Sequence, residues 1–97
     1  MFIVELTYIK PLEEVEKFLK EHLDFLDRYF KEDKLVCSGK KSLPEKGGII
    51  LLCSDSIEEV KEIVYEDPFY REELAEFRII EFEPVKYTEN FLKVIKK

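Results

Sequence analysis

The chain has a single histidine, His22, and the chemistry open to it turns on which way its ring faces. Leu12, Val15, Phe18, Leu19, Leu23, Leu26 and Phe30 recur at three- and four-residue spacing, which predicts one amphipathic helix over residues 11–31. His22 falls inside that stripe, four after Phe18 and four before Leu26, so its imidazole is expected on the core side of the helix or at its edge. A ring withdrawn from water there must find a hydrogen-bond partner. A backbone carbonyl would make it a structural histidine, and a suitable acid–base partner would make it a catalyst. The residues alone leave both readings standing.

The other reactive side chains are less telling. Cys37 and Cys53 lie far from any CxxC spacing, and one histidine cannot complete a zinc set with them, so no metal is expected. They are equidistant from Glu45, and a hairpin centred there would set them opposite each other and permit a disulfide. Two buried, reduced thiols are the favoured state in a reducing cytosol. No nucleophile is marked. Ser38 could lie near a site or simply end a strand, Tyr8 and Tyr70 could line a pocket as donors or pack, and Phe69 reads as a wall.

The elements that must position these groups belong to one small domain. Ninety-seven residues with 45% hydrophobic and 13% aromatic content make one core, which a partner subunit would help to complete. No apolar run approaches the roughly 18 residues of a membrane span, and Glu5 comes too early for a signal peptide. The expectation is a soluble cytoplasmic protein that engages no membrane. A net charge of −6 argues against a nucleic-acid partner, because such affinity rests on neutralising phosphates. Basic residues gather only at Lys93, Lys96 and Lys97. The Glu- and Lys-rich charge content of 39%, with one methionine, matches hyperthermophile composition.

Alternation predicts a first strand over residues 2–9. Pro11 opens the helix, with Glu13 and Glu14 at its positive end. The charge cluster from Lys31 to Lys34 reads as a loop, followed by a strand over 35–40 and a turn over 42–48 that contains Pro44, Gly47 and Gly48. Residues 49–53 are apolar on both faces, so this strand should be covered on both sides, the second cover being another subunit. Asp55 or Ser56 should cap the next helix, which buries Ile57, Val60, Ile63 and Val64 and stops before Pro68. A corner, a short helical turn and a strand over 75–82 complete the set. This order is the ferredoxin-like βαββαβ arrangement, an α+β fold with four antiparallel strands and both helices on one face. The domain is expected over residues 1–87. A tail over 88–97, with Thr88 as cap and Phe91, Leu92, Val94 and Ile95 at helical spacing, should dock across the barrel or onto a neighbouring subunit, a frayed, exposed end being the alternative.

His22-Leu23, Ser38-Gly39, Gly47-Gly48-Ile49-Ile50, Asp67-Pro68-Phe69 and Phe82-Glu83-Pro84-Val85 stand in an order and spacing that resemble the YciI-related proteins, over residues 2–87. The resemblance implies a dimeric α/β barrel of two ferredoxin-like chains, a homodimer or larger assembly. It also implies a small-molecule substrate and a catalytic pair that falls here on His22 and Asp67. Relatives include enzymes acting on chlorinated aromatic breakdown products. Two departures stand out. Leu19 occupies the position where many members carry arginine, and the tail after Tyr87 is extra.

An aspartate that accepts a hydrogen bond from one ring nitrogen fixes the tautomer and leaves the other nitrogen as a base. Pro68 would stiffen the mount of such a carboxylate, although Asp67 read alone is also a capping residue before proline. Ser38, Gly39, Tyr8 and Phe69 are the candidate substrate-binding residues. An acid–base pair without nucleophile, metal or cofactor suits proton abstraction, isomerisation or β-elimination. The two functional readings are therefore a small cofactor-free lyase or isomerase, and a non-catalytic ligand-binding or assembly module on the same barrel. A cavity at His22 with a carboxylate about 3 Å from the ring separates them.

Overall fold

The computed structural model describes residues 1–42 and 46–95. Leu43, Pro44 and Glu45 of the expected turn, and Lys96 and Lys97 of the basic end, lie outside the described residues. The central strand is β1 (Phe2–Tyr8), whose alternation buries Phe2, Val4 and Leu6 on one face and leaves Ile3, Glu5 and Thr7 on the other. It pairs antiparallel with β3 (Gly47–Leu52) on one side and β4 (Ala75–Glu81) on the other. β2 (Leu35–Lys40) extends the sheet beyond β3, giving the order β2-β3-β1-β4. This is the ferredoxin-like α+β fold. Gly47 is required where β3 begins. Its φ is +156°, and a Cβ there would fall 1.8 Å from the carbonyl oxygen of Leu6.

The helices cover the face that carries Phe2, Val4 and Leu6. The single helix expected over 11–31 is two, α1 (Leu12–Glu16) and α2 (Leu19–Lys31). Phe18 leaves helical geometry at φ −110° and ψ 6°, and its N–H donates to Val15 in a tight three-residue step. The step re-phases the apolar stripe. Val15, Phe25, Leu26 and Tyr29 are buried, whereas Leu12, Leu19 and Leu23 are exposed. α2 ends as Asp33 takes a φ of 58° and the Lys34 N–H returns to the carbonyl of Tyr29.

α3 (Ile57–Tyr65) is capped by Ser56, whose side chain accepts from the Glu59 N–H. Glu59 does not reach back to the Ser56 N–H. Ser54 accepts that N–H and donates to the Glu59 carboxylate at 2.5 Å, so the cap closes through a third residue. α4 (Pro68–Arg71) begins immediately after the corner, with Asp67 as its cap and Pro68 in its first turn.

The hairpin register differs from the one expected about Glu45. Cys37 lies opposite Leu51, a bulge separates Leu35 from Cys37, and the Cys53 N–H bonds to Lys34. Both thiols are free, and Cys37 is exposed rather than buried. α5 (Glu89–Ile95) buries none of its residues, and its end approaches Cys53, whose thiol lies 3.9 Å from the Ile95 carbonyl. On the sheet face away from the helices, Cys37, Leu51, Ile3 and Ile80 stand in one apolar row across all four strands. Lys41 meets Thr7 at 2.6 Å and Glu5 at 3.5 Å on the same face. Among the described residues, no helix is long and apolar enough to cross a membrane.

Candidate active site

Asp67 is held by the chain before it meets any partner. Its backbone is extended (φ −71°, ψ 125°), as the residue before a proline must be, and its Oδ1 accepts from the Phe69 N–H at 2.9 Å. The same Oδ1 lies 2.9 Å from Nδ1 of His22, which projects from the first turns of α2. A carboxylate can only accept, so Nδ1 carries the proton and Nε2 is the free nitrogen of the neutral ring. Asp67 is fully buried (0% exposed), and the His22 side chain is 12% exposed.

The histidine ring is also fixed in its plane. It stacks on Phe69 with centroids 4.0 Å apart and planes 5° from parallel, while Tyr8 meets the same phenyl ring edge-on at 5.8 Å. The three residues of Asp67-Pro68-Phe69 thus supply a hydrogen-bond acceptor, a rigid bend and a flat support to one imidazole. Oδ2 of Asp67 is buried without a hydrogen-bond partner among the described residues. The void beside it is about 10 Å³ and otherwise lined by apolar side chains, too poor in partners to hold a water.

His22 also lines a cavity of about 180 Å³ between α2 and the β2–β3–β1 end of the sheet. Tyr8, Ser38 and Gly39 line it with His22, whereas Asp67 and Phe69 stand behind the imidazole and do not. Burial, and secondly the Asp67 charge, push the Tyr8 hydroxyl above its usual range, so it remains a proton-bearing donor at neutral pH. Tyr70 is elsewhere, packed on Tyr65 and Phe77 in a different cleft. The helical side of β2 carries Ser38 opposite buried Ile50, which puts Cys37 on the other face. The walls include Leu19 and Leu23, exposed at 42% and 49%, and Lys40 at the end of β2. No motif in the sequence marks Lys40, although its place two residues after Ser38 puts it on the same strand face.

A model of the YCII-related domain matches residues 1–83. The chain belongs to the YCII-related family. Among solved structures, this YCII-related chain is similar in fold to 5-chloro-2-hydroxyhydroquinone dehydrochlorinase from Burkholderia phenoliruptrix, determined in complex with 2,5-dihydroxybenzoquinone. The TM-score is 0.71 at 18% identity, covering 86% of this chain and 94% of the other. No curated protein sequence matches the chain significantly.

Proposed function

We propose that this YCII-related protein is a small cofactor-free enzyme of lyase or isomerase type, with His22 as general base and Asp67 as the residue that orients it. The observation that carries the reading is the 2.9 Å contact of Nδ1 with a buried carboxylate on a ring that also borders a cavity. In the reaction Nε2 takes a proton from an acidic position of the substrate. The electron pair of that bond forms the new π bond, and in an elimination the leaving group departs with its own pair. Asp67 stabilises the imidazolium so formed, and Tyr8 and Ser38 offer hydroxyl donors to developing oxygen charge. A cavity of about 150 Å³ can hold benzene, so the space beside His22 suits a single-ring molecule. The dehydrochlorinase activity in the neighbour's name lends support to the elimination arm.

The same reading includes a cytoplasmic homodimer joined through the helix-free sheet face. The apolar row of Cys37, Leu51, Ile3 and Ile80 supports it, because burying such a row against a second copy removes apolar area from water. Leu51→Lys should convert the dimer to monomers in sedimentation velocity, and an unchanged sedimentation coefficient would refute that interface.

Catalysis is tested by chloride release from 5-chloro-2-hydroxyhydroquinone and by deuterium uptake into cyclic diketones in heavy water. The wild type should accelerate at least one of them, and His22→Gln should abolish the effect. Equal rates for the two proteins would leave the non-catalytic ligand-binding module.

A further inference from the structure

The cavity beside His22 stands apart from the larger clefts of this surface in its charge. The protein has 22 acidic residues and a net charge of −6, and three larger clefts among the described residues are each lined by at least one carboxylate. The cleft of about 490 Å³ has Glu32, Asp55 and Glu59, and that of about 360 Å³ has Glu21, Asp24 and Glu66. None of the thirteen described residues around the His22 cavity is acidic, and among them the only one besides histidine that can carry charge at neutral pH is Lys40.

Lys40 is also unspent. Lys17, Lys20, Lys34 and Lys41 each lie within 3.5 Å of a carboxylate oxygen, whereas Lys40, like Lys10, Lys31, Lys61, Lys86 and Lys93, has no side-chain ion-pair or hydrogen-bond partner among the described residues, and of these it alone borders the His22 cavity. It stands opposite Gly48, a residue with no side chain to fill the space between the ammonium stem and the cavity. The remaining walls are mainly Leu6, Leu19, Leu23, Leu26 and Ile50. Lys40 is itself exposed, so water screens its ammonium on the outer side, while the apolar walls focus its field on the cavity side.

We propose that Lys40 determines the specificity of this site and that the substrate is a single-ring acid. An anionic oxygen, whether carboxylate or ionised enol, is held by the Lys40 ammonium while the ring is presented to His22. This rests on the catalytic reading above, because it assigns the substrate class of the same cavity. Carboxylates are strong acceptors for an ammonium. A neutral ring of equal size gains only the apolar contact.

The sole histidine gives one set of imidazole resonances, so NMR titration reports binding at His22 directly. Benzoate and 2,5-dihydroxybenzoquinone should shift those resonances at concentrations about tenfold lower than neutral benzamide requires. Lys40→Met should weaken both anionic probes about tenfold and leave benzamide unchanged, and Lys40→Arg should restore them. If benzoate and benzamide bind equally, or Lys40→Met leaves both anions untouched, the assignment to Lys40 falls while the cavity stands as a binding site. If one anion alone responds to Lys40→Met, the substrate carries that type of oxygen and the proposal holds in that arm. If no probe moves the His22 resonances, the single-ring site itself is overturned and Lys40 with it.

Discussion

Glu66 and Asp67 are neighbours in the chain, and both tie the corner between α3 and α4 onto α2, yet they do so in opposite media. Glu66 reaches Arg28 and Tyr29 with about half of each ion-pair side chain in solvent, and Arg28 lies over the Tyr29 ring. Asp67 reaches His22 with its carboxylate wholly buried and one oxygen unpartnered. The outer pair can exchange its partners for water and lose little. The inner pair cannot, because nothing else nearby would satisfy the buried atoms. A single residue of chain therefore separates a contact that helps hold the surface together from one that sets the tautomer of a buried imidazole.

The sharpest way to break that comparison is through turnover. His22→Gln removes the proposed base, and the rate on any substrate the wild type converts should fall by about 10²–10⁴-fold. Asp67→Asn keeps an oxygen that can accept from Phe69 and His22 but removes the charge that balances the imidazolium. Its rate should fall by about 10²-fold with substrate affinity nearly unchanged. A loss confined to KM would show that Asp67 shapes the cavity and does not support the base.

Stability gives the next largest effect. Asp67→Ala strips the cap from α4 and leaves the Phe69 N–H and the His22 Nδ1–H without an acceptor. A lost cap costs about 1 kcal/mol and a buried unpaired donor about 1–3 kcal/mol, so urea denaturation should show a loss of about 2–4 kcal/mol. A change below about 0.5 kcal/mol would mean that the interior at this corner repacks or admits water.

Much of this arrangement is legible in the residues. Period-two alternation marks β1, an unbroken apolar run after the paired glycines marks β3, which starts at Gly47 inside the expected turn, and β2 falls on the expected residues 35–40. The proline after Asp67 indicates a corner, and the family resemblance singles out the two residues that the fold brings to 2.9 Å. What escapes is phase. No glycine or proline marks the break at Phe18, so a continuous helix wrongly assigns Leu19 and Leu23 to the core and leaves Phe25 and Tyr29 out of it. A three-residue step in place of four turns the face by a large fraction of a residue's rotation, and hydrophobic spacing tolerates either phase. The unpartnered Oδ2 and the lack of acids around the cavity, among the described residues, depend on contacts across the fold. They leave no local trace in the chain.

The smallest effect belongs to the outer pair, and it tests the contrast from the other side. The Glu66 carboxyl is held below its usual range chiefly by the hydrogen bond from the Tyr29 hydroxyl; burial opposes this, and Arg28 adds to the lowering. A carboxyl with a depressed folded pKa binds its proton more readily in the unfolded chain. Its stabilisation is therefore present above the ordinary value of 4.5 and is lost as pH falls through the lower folded value. With both partners about half exposed, solvent screening limits that contribution to about 0.2–1 kcal/mol. Glu66→Gln should remove this acid-side loss from a stability–pH curve, shrink further in 1 M salt, and leave His22-dependent turnover at its wild-type rate. A turnover defect as large as that of Asp67→Asn would show that the two carboxylates act as one unit, and the division between surface tie and buried support would fail.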